Sequence, residues 1–320
     1  MYNGSSLLVT EMSSQNILDL KGKQLTALPE AVLERMALEE LDLDQNQLAS
    51  LPEIIGRLTN LKRVSVYSNQ LTAVPESLWQ LTRLERLNLA DNQISSLSEA
   101  IGNLTNLQML DLGHNELAVL PESIGKLSNL EFLYLSNNRL ASLPRSFENL
   151  SNLVYLNITD NQMADLPESI GSLARLIELR LYNNYFTSLP KALGRLENLK
   201  ELHLMNNRLA ALPAAIGNLA KLKKLDLQDN RLTSLPDSLG NLASLTNLNL
   251  RNNQLASLPE SLGDLSNLRY LDLRANKLAH VPARFGALTN LEKLDLRWNK
   301  LASLPESVLH LEECGCMVYL

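Results

Sequence analysis

The stretch that decides the fold is residues 130–153, which read LEFLYLSNNRLASLPRSFENLSNL. Near its start Tyr134 stands between Leu133 and Leu135. Successive side chains of a strand alternate in direction, so this pattern predicts a short strand with both leucines on one side and the tyrosine on the other. Asn138 follows where the chain turns off the strand, and its amide can satisfy main-chain groups there. The stretch therefore predicts one strand, one turn and a return along the back.

The same unit recurs every 23 residues along the chain. All 12 prolines share one repeat position, where a residue with fixed φ and no N–H suits an outer turn, and Ser98 is the single gap. Lys23 holds the asparagine position of a degenerate first unit, so we count one partial and twelve full repeats. A constant period of this length predicts a solenoid, whose units bury their leucines against their neighbours. The repeated asparagines are Asn46, Asn69, Asn92, Asn115, Asn138, Asn161, Asn184, Asn207, Asn230, Asn253, Asn276 and Asn299.

The pattern L-x-x-L-x-L-x-x-N-x-L-x-x-L-P-x-x-I-G-x-L-x-N runs from about Ile17 to Leu309. It resembles the leucine-rich repeat (LRR) of the 23-residue kind, as in Ras-pathway scaffolds, Ras-suppressor and Scribble-like proteins, plant intracellular Ras-group proteins and many bacterial LRR proteins. The resemblance implies an α/β solenoid, a curved horseshoe with a parallel β-sheet on the concave face and short helical or 3₁₀ turns on the convex side. It also implies a non-enzymatic scaffold for protein–protein interaction.

The domain organisation follows from the unbroken period. We expect a short N-terminal segment at 1–14, one elongated solenoid at 15–309 and a short C-terminal tail at 310–320. The terminal repeats of a solenoid need a polar cap, and both ends look short for that purpose. Three explanations remain open: the chain is a fragment, it associates with itself through an end, or these short segments cap it.

Composition excludes several classes of protein. The net charge is −6, with −8 in residues 1–160 and +2 in residues 161–320, which argues against general nucleic-acid binding. The start of the chain lacks the pattern of a secretory signal, and we expect no membrane span because no run reaches 18 apolar residues. The only cysteines are Cys314 and Cys316, which favours a reducing compartment. We therefore predict a cytoplasmic protein.

The candidate binding site is the set of strand positions that face away from the leucines. In the middle of the chain these positions carry aromatic and other large side chains, where neighbouring repeats use smaller polar ones. Tyrosine and methionine are favoured at interface centres, so we predict that a protein partner docks here on the concave face. The alternative is that the rings only pack across neighbouring strands and stiffen the sheet. The predicted residues are Met109, Phe132, Tyr134, Tyr155, Arg180, Tyr182, Tyr185, His203 and Met205.

A second candidate surface is basic and lies towards the C-terminus. Arginine binds carboxylate and phosphate groups well, so this surface could receive an acidic or phosphorylated segment. In the alternative interpretation, Asp272 and Asp295 neutralise the arginines beside them and the surface only provides solubility. The predicted residues of this basic face are Arg251, Arg274, Lys277, Arg297, Trp298 and Lys300.

The sequence shows no pattern typical of catalysis. None of the four histidines has a partner at a common metal-ligand spacing, and each of the two aspartates that could form an acid/base pair has an arginine beside it. We expect no catalytic residue, no metal site and no cofactor. The leading hypothesis is a protein-interaction module. The alternatives are the substrate-recognition arm of a larger enzyme or bacterial effector, and a consensus-like structural repeat protein without a ligand.

Overall fold

A computed structural model describes residues 16–320, so the predicted segment 1–14 lies outside the described residues. The chain divides into two compact units, Met1–Leu156 and Asn157–Leu320. Each unit is built from three-residue parallel strands that alternate with turns on the opposite side. The predicted parallel strands and 3₁₀ turns are confirmed in both units. The predicted domain boundaries stay a prediction.

In the first unit, neighbouring strands pair in parallel and in chain order. The strands are β1 (Ile17–Asp19), β2 (Glu40–Asp42), β3 (Arg63–Ser65), β4 (Arg86–Asn88), β5 (Met109–Asp111) and β6 (Phe132–Tyr134), and β7 (Tyr155–Asn157) contains the boundary between the units. Between them come one turn of α-helix and five 3₁₀ helices. Their bounds are α1 (Glu30–Leu33), Glu53–Arg57, Glu76–Gln80, Glu99–Asn103, Glu122–Lys126 and Arg145–Asn149.

The second unit repeats this arrangement. Its strands are β8 (Glu178–Arg180), β9 (Glu201–His203), β10 (Lys224–Asp226), β11 (Asn247–Asn249), β12 (Tyr270–Asp272), β13 (Lys293–Asp295) and β14 (Met317–Tyr319). Its helices are the 3₁₀ segments Glu168–Ser172, Lys191–Arg195, Ala214–Asn218, Asp237–Asn241, Glu260–Asp264 and Ala283–Ala287, followed by α2 (Glu306–Glu313).

The core is a stack of leucines from the middle of every strand and from the turns that follow. In each pair of strands the central leucines lie side by side, as Leu110 does with Leu133 in the first unit. Both are fully buried. Burying a leucine side chain contributes roughly 1.5–3 kcal/mol, so the leucine columns are the main source of stability. Phe147 in the first unit, and Phe186 and Phe285 in the second, are also fully buried.

The asparagine column links each repeat to the one before it. The Asn69 amide donates to the main-chain oxygen of Leu43 at 3.0 Å and its Oδ1 accepts from the N–H of Leu48 at 3.0 Å. Asn230 does the same with Leu204 and Leu209. These asparagines are buried, and a buried main-chain group without a partner is costly. The constant spacing therefore reflects a hydrogen-bond requirement of the fold.

The residue before each column asparagine has a positive φ. In the first unit, Gln45, Ser68, Asp91, His114 and Asn137 have φ between 53° and 56°. In the second unit most residues at this position are Asn or Asp, which tolerate the left-handed region. Ala275 at 53° and Trp298 at 63° are less suited to it. Sequence reasoning missed this backbone requirement.

The C-terminal segment extends the fold beyond the repeat pattern. Helix α2 packs on the 3₁₀ helix Ala283–Ala287, and β14 pairs in parallel with β13, with Val318 beside Leu294. Val308 and Leu311 of the helix are buried. Sequence reasoning described residues 310–320 only as a short tail, because they lack the repeat's asparagine and proline. The structure supports the third of our explanations for this end, since the segment covers the last repeat.

Candidate functional site

The exposed face of the strands carries two columns of side chains in every repeat. These are the first and third residues of each strand, which flank the buried leucine. In the third position most repeats have Asp or Asn, whose side chain accepts the N–H two residues later. Asp111 accepts from Gly113 at 2.9 Å, and Asp226 accepts from Gln228 at 3.2 Å. The side chain at this position therefore stabilises the turn off the strand.

Among the described strands of the repeats, four have another residue type at this third position. They are β3, β6, β8 and β9, with Ser65, Tyr134, Arg180 and His203. Tyr134, Arg180 and His203 belong to the binding site that we predicted from the sequence. At these three places the carboxylate or amide that would bond the turn is replaced by a larger side chain.

In the first unit, the predicted residues form one aromatic patch. Met109 and Phe132 lie opposite each other on β5 and β6. The rings of Tyr134 and Tyr155 have their centroids 4.9 Å apart and their planes tilted by 38°. All four side chains are half-buried. This offset ring contact shows that cross-strand packing occurs here, and it leaves part of each ring accessible.

In the second unit, the predicted residues are polar and aromatic. Tyr182 and Met205 are half-buried, whereas Tyr185 is exposed. The guanidinium carbon of Arg208 lies 4.4 Å from the centre of the Tyr185 ring, a cation–π contact. Arg180 lies opposite His203, and its Nε donates to Glu178 Oε1 at 2.5 Å.

His203 is buried, in contrast to the exposed position that we predicted. Its exposed fraction is 6%, because the carboxylates of Glu178 and Glu201 lie over the imidazole. The ring Nε2 is 3.1 Å from Glu201 Oε2 and 3.8 Å from Glu178 Oε1. Burial lowers the pKa of His203, and this effect outweighs the hydrogen bond with Glu201, which raises it; the nearby charges of Lys224 and Arg180 lower it further.

Glu178, Glu201 and His203 form a group that sequence reasoning missed. One ligand atom from each lies within 4.8 Å of the other two. We searched for histidines spaced along one helix or strand, whereas this group combines Glu201-Leu202-His203 with a glutamate 23 residues earlier. The repeat length itself was the available signal, since residues 23 apart lie side by side on neighbouring strands.

The basic face is largely neutralised by its own carboxylates. Arg274 pairs with Asp272, and its Nε is 3.4 Å from Asp295 Oδ2. Arg297 bonds the same aspartate at 2.7 Å. Lys277 donates to Gln254 at 3.2 Å. Of the other predicted residues, Arg251 is half-buried, and Lys300 and Trp298 are exposed. The alternative interpretation, a neutralised ladder, describes its two central arginines.

Asp295 is completely buried, although we expected it on an open face. The side chains of Arg274 and Arg297 close over it, and the Tyr319 ring lies against Arg297 at 5.2 Å. Burial by itself would raise the pKa of Asp295. The hydrogen bonds from Arg297 and the charges of both arginines outweigh burial, so the pKa is lowered. Asp295 is therefore an ionised, structural carboxylate rather than an acid/base catalyst.

Comparison with protein families decides the fold family. A model of the leucine rich repeat matches residues 36–94, 197–255 and 256–301, which is about half of the chain. A model of the leucine-rich repeat region matches residues 76–154 and 124–212. The chain belongs to the leucine-rich repeat family. The predicted LRR solenoid is therefore confirmed, while the resemblance to one 23-residue subtype stays a prediction.

Solved structures similar to this LRR chain come from bacteria and plants. An LRR protein of Leptospira interrogans is 29% identical, with a TM-score of 0.68 over 100% of this chain and 99% of that one. The LRR ectodomain of the receptor kinase GASSHO1/SCHENGEN3 from Arabidopsis thaliana, in complex with CASPARIAN STRIP INTEGRITY FACTOR 2, is 32% identical, with a TM-score of 0.79. The plant peptide hormone receptor RGFR1, in complex with RGF2, is 27% identical, with a TM-score of 0.79.

The LRR chain covers the two plant receptors only in part. It aligns over 95% of its own length with 38% of the first receptor chain and 55% of the second. A search of curated proteins found no match. LRR domains are typically non-enzymatic modules for protein–protein interaction, and these two receptors have ligands bound. Within residues 16–320, none of the helices has the length and apolar character needed to cross a membrane.

Proposed function

We propose that this LRR protein is a non-enzymatic interaction module that binds a protein partner on the exposed face of its strands. The observation that carries the proposal is the change of residue type at the third strand position. Most repeats use Asp or Asn there to stabilise the turn, whereas β6, β8 and β9 carry Tyr134, Arg180 and His203. Since the fold does not require these side chains, a role in recognition accounts for them.

The anchors in the first unit are Phe132, Tyr134 and Tyr155. Half-buried rings that already pack on one another lose little side-chain entropy when a partner covers them. In the second unit, Tyr182, Tyr185 and Met205 offer accessible apolar surface of the same kind. Both patches combine aromatic rings with polar neighbours, which is typical of the centre of a protein interface.

The basic face has a weaker claim to the same role. Because Arg274 and Arg297 are held by Asp272 and Asp295, a phosphorylated or acidic partner would first have to displace these carboxylates. We therefore restrict the proposed interface to the aromatic positions. A reducing, cytoplasmic location is part of the proposal, supported by the unpaired Cys314 and Cys316. Self-association through the ends stays a prediction.

The experiment compares proteins captured from a lysate of the source cells by four forms of the chain. The wild type and two double variants, Tyr134→Ala/Tyr155→Ala and Tyr182→Ala/Tyr185→Ala, are compared with the control Tyr67→Ala/Tyr270→Ala. The control tyrosines are also exposed on strand-face positions, in other repeats. Circular dichroism verifies that all four forms are folded.

We expect a specific partner to be retained by the wild type and the control and depleted at least about tenfold by one of the two test variants, which corresponds to about 1.4 kcal/mol. Equal capture by all four folded forms, or no specific capture by the wild type, would contradict the proposal.

A further inference from the structure

We infer that Glu178, Glu201 and His203 form a binding site for a divalent first-row transition-metal ion, with Zn²⁺ as its probe. The site lies on the exposed face of β8 and β9, within the second unit. It is independent of the proposed protein interface, since the inference rests only on these three side chains and their immediate neighbours.

The strand register brings the three ligands together. Glu178 lies directly opposite Glu201, and His203 is two residues further along β9, on the same face as Glu201. The imidazole Nε2 is 3.1 Å from Glu201 Oε2 and 3.8 Å from Glu178 Oε1. Zinc binds imidazole nitrogen and carboxylate oxygen at about 2.0–2.2 Å, so ligand atoms around it lie roughly 3–4 Å apart. The side chains thus already have the spacing that an ion requires.

The residue types favour a transition metal over calcium or magnesium. Imidazole suits zinc, copper, iron and nickel, whereas calcium and magnesium prefer ligand sets made of oxygen alone. Two carboxylates and one imidazole supply three protein ligands, and a tetrahedral ion then keeps one position for water or another group. The charge also fits, since two carboxylates opposite each other repel and a divalent cation between them removes that repulsion.

His203 has a place in the fold that a structural role does not require. Other repeats have Asp or Asn at its position, with the side chain bonded to the turn, as Asp226 is on the adjacent strand β10. His203 gives up that bond and is held instead between two glutamates while 94% buried. A buried imidazole between two carboxylates is an arrangement in which the second-shell contacts of a metal ligand are already formed.

Arg180 provides the sharpest test, because it competes with the metal. Its Nε donates to Glu178 Oε1, the same oxygen that approaches His203. A metal ion can use that oxygen only after the guanidinium has moved away. Removing the guanidinium should therefore increase the affinity for the metal, whereas a merely structural cluster would show no such effect. Lys224, opposite Glu201 on β10, contributes a second positive charge nearby.

The experiment titrates ZnCl₂ into the full chain by isothermal titration calorimetry. Zinc also binds thiols, and Cys314, His310 and Glu313 lie close together at the C-terminus. All forms therefore carry Cys314→Ser and Cys316→Ser, so that the thiols do not contribute. The variants in this background are His203→Gln, Glu201→Gln and Arg180→Gln, with His280→Gln as the control at an exposed histidine outside the cluster.

We expect one Zn²⁺ per chain, an affinity weakened at least about tenfold by Glu201→Gln and by His203→Gln, and no change for His280→Gln. Arg180→Gln should bind Zn²⁺ several-fold more tightly. Because an ion that binds only the folded state raises its melting temperature, ZnCl₂ should raise Tm in the parent and in the control but not in His203→Gln.

Absence of stoichiometric binding by the parent, or equal affinities in the parent and in Glu201→Gln, would overturn the inference. Should His203→Gln unfold, Glu201→Gln still decides the outcome, because the Glu201 side chain is 42% exposed and its loss leaves the core intact. An Arg180→Gln variant that binds Zn²⁺ more weakly than the parent would also contradict the proposed geometry.

Discussion

The side-chain amide of Asn230 donates to the main-chain oxygen of Leu204, 26 residues earlier, at a distance of 2.9 Å. Its Oδ1 accepts from the N–H of Leu209 at 3.0 Å, so one side chain joins two successive repeats through both of its polar ends. Since the groups involved are buried, no water replaces the asparagine if it is lost. The same pair of bonds recurs at other column asparagines within each unit.

Asn230→Ala should lower the free energy of unfolding by about 2–4 kcal/mol, because it leaves buried main-chain donors and acceptors without partners. Urea denaturation followed by circular dichroism measures the change. The control is Asn218→Ala, at an exposed asparagine at the end of a 3₁₀ helix, for which we expect a change within about 0.5 kcal/mol. Equal effects of the two substitutions would show that the column does not stabilise the stack.

Gly240→Ala should be destabilising because neighbouring 3₁₀ helices approach closely at this position. A β-carbon there would lie 2.2 Å from the main-chain oxygen of Ser261, much nearer than van der Waals contact. The two helices would have to separate, at a cost of about 1–3 kcal/mol. Thermal unfolding measures the effect, with Asn241→Ala as the neighbouring exposed control. A Tm unchanged from the wild type would refute this reading of the repeated glycine.

Trp298→Asn should stabilise the protein, which few substitutions of a tryptophan do. Trp298 has φ of 63° and is 65% exposed, so it carries left-handed backbone strain without the benefit of burial. Asparagine tolerates this conformation and holds the position in several other repeats, so we expect a gain of about 1 kcal/mol. Melting curves of the two forms test this. A clear loss of stability would mean that the contact between Trp298 and Arg297 outweighs the strain.

Asp295→Asn should cost about 3–5 kcal/mol at neutral pH, because it leaves Arg274 and Arg297 without their shared buried carboxylate. The pKa of Asp295 is lowered in the folded protein, so its stabilising contribution is fully present above the unfolded pKa of about 3.9. That contribution is lost as the pH falls through the lower, folded pKa.

The measurement for Asp295 is the unfolding free energy of wild type and variant at several pH values. The difference between them should be constant from pH 7 to about pH 5 and should shrink below about pH 4. A surface pair supplies the control, since Asp264→Asn removes a partner of Arg284 that is exposed to water and should cost less than about 1 kcal/mol. A difference for Asp295→Asn that does not depend on pH would contradict the role assigned to the ionised carboxylate.

The period of 23 predicted the fold because it reports two requirements together, a leucine core and the bonds of residues such as Asn230. It also predicted which side chains lie on the strand face, since alternation along a strand is a local property. The burial of His203 and Asp295 was not predictable in the same way. It depends on long side chains of neighbouring repeats, Glu178 and Arg274, which fold over them.

The C-terminal strand escaped prediction for a different reason. Residues of β14 match the repeat only through Val318, which takes the place of a core leucine beside Leu294. One apolar residue without the asparagine and proline of the repeat is too weak a signal. The metal-type cluster was predictable in principle, because Glu178 and Glu201 are 23 residues apart and every pair at that spacing in neighbouring repeats is a candidate contact.

The central claim is that the strand face, rather than the turn face, binds a protein. Site-specific photocrosslinking tests it most directly. A photoreactive phenylalanine analogue replaces Tyr134 on the strand face in one form and Glu122 on the turn face in a matched form, both within the first unit. We expect the analogue at 134 to crosslink the captured partner and the analogue at 122 to leave it free. Crosslinking from 122 alone, or equally from both positions, would contradict the account.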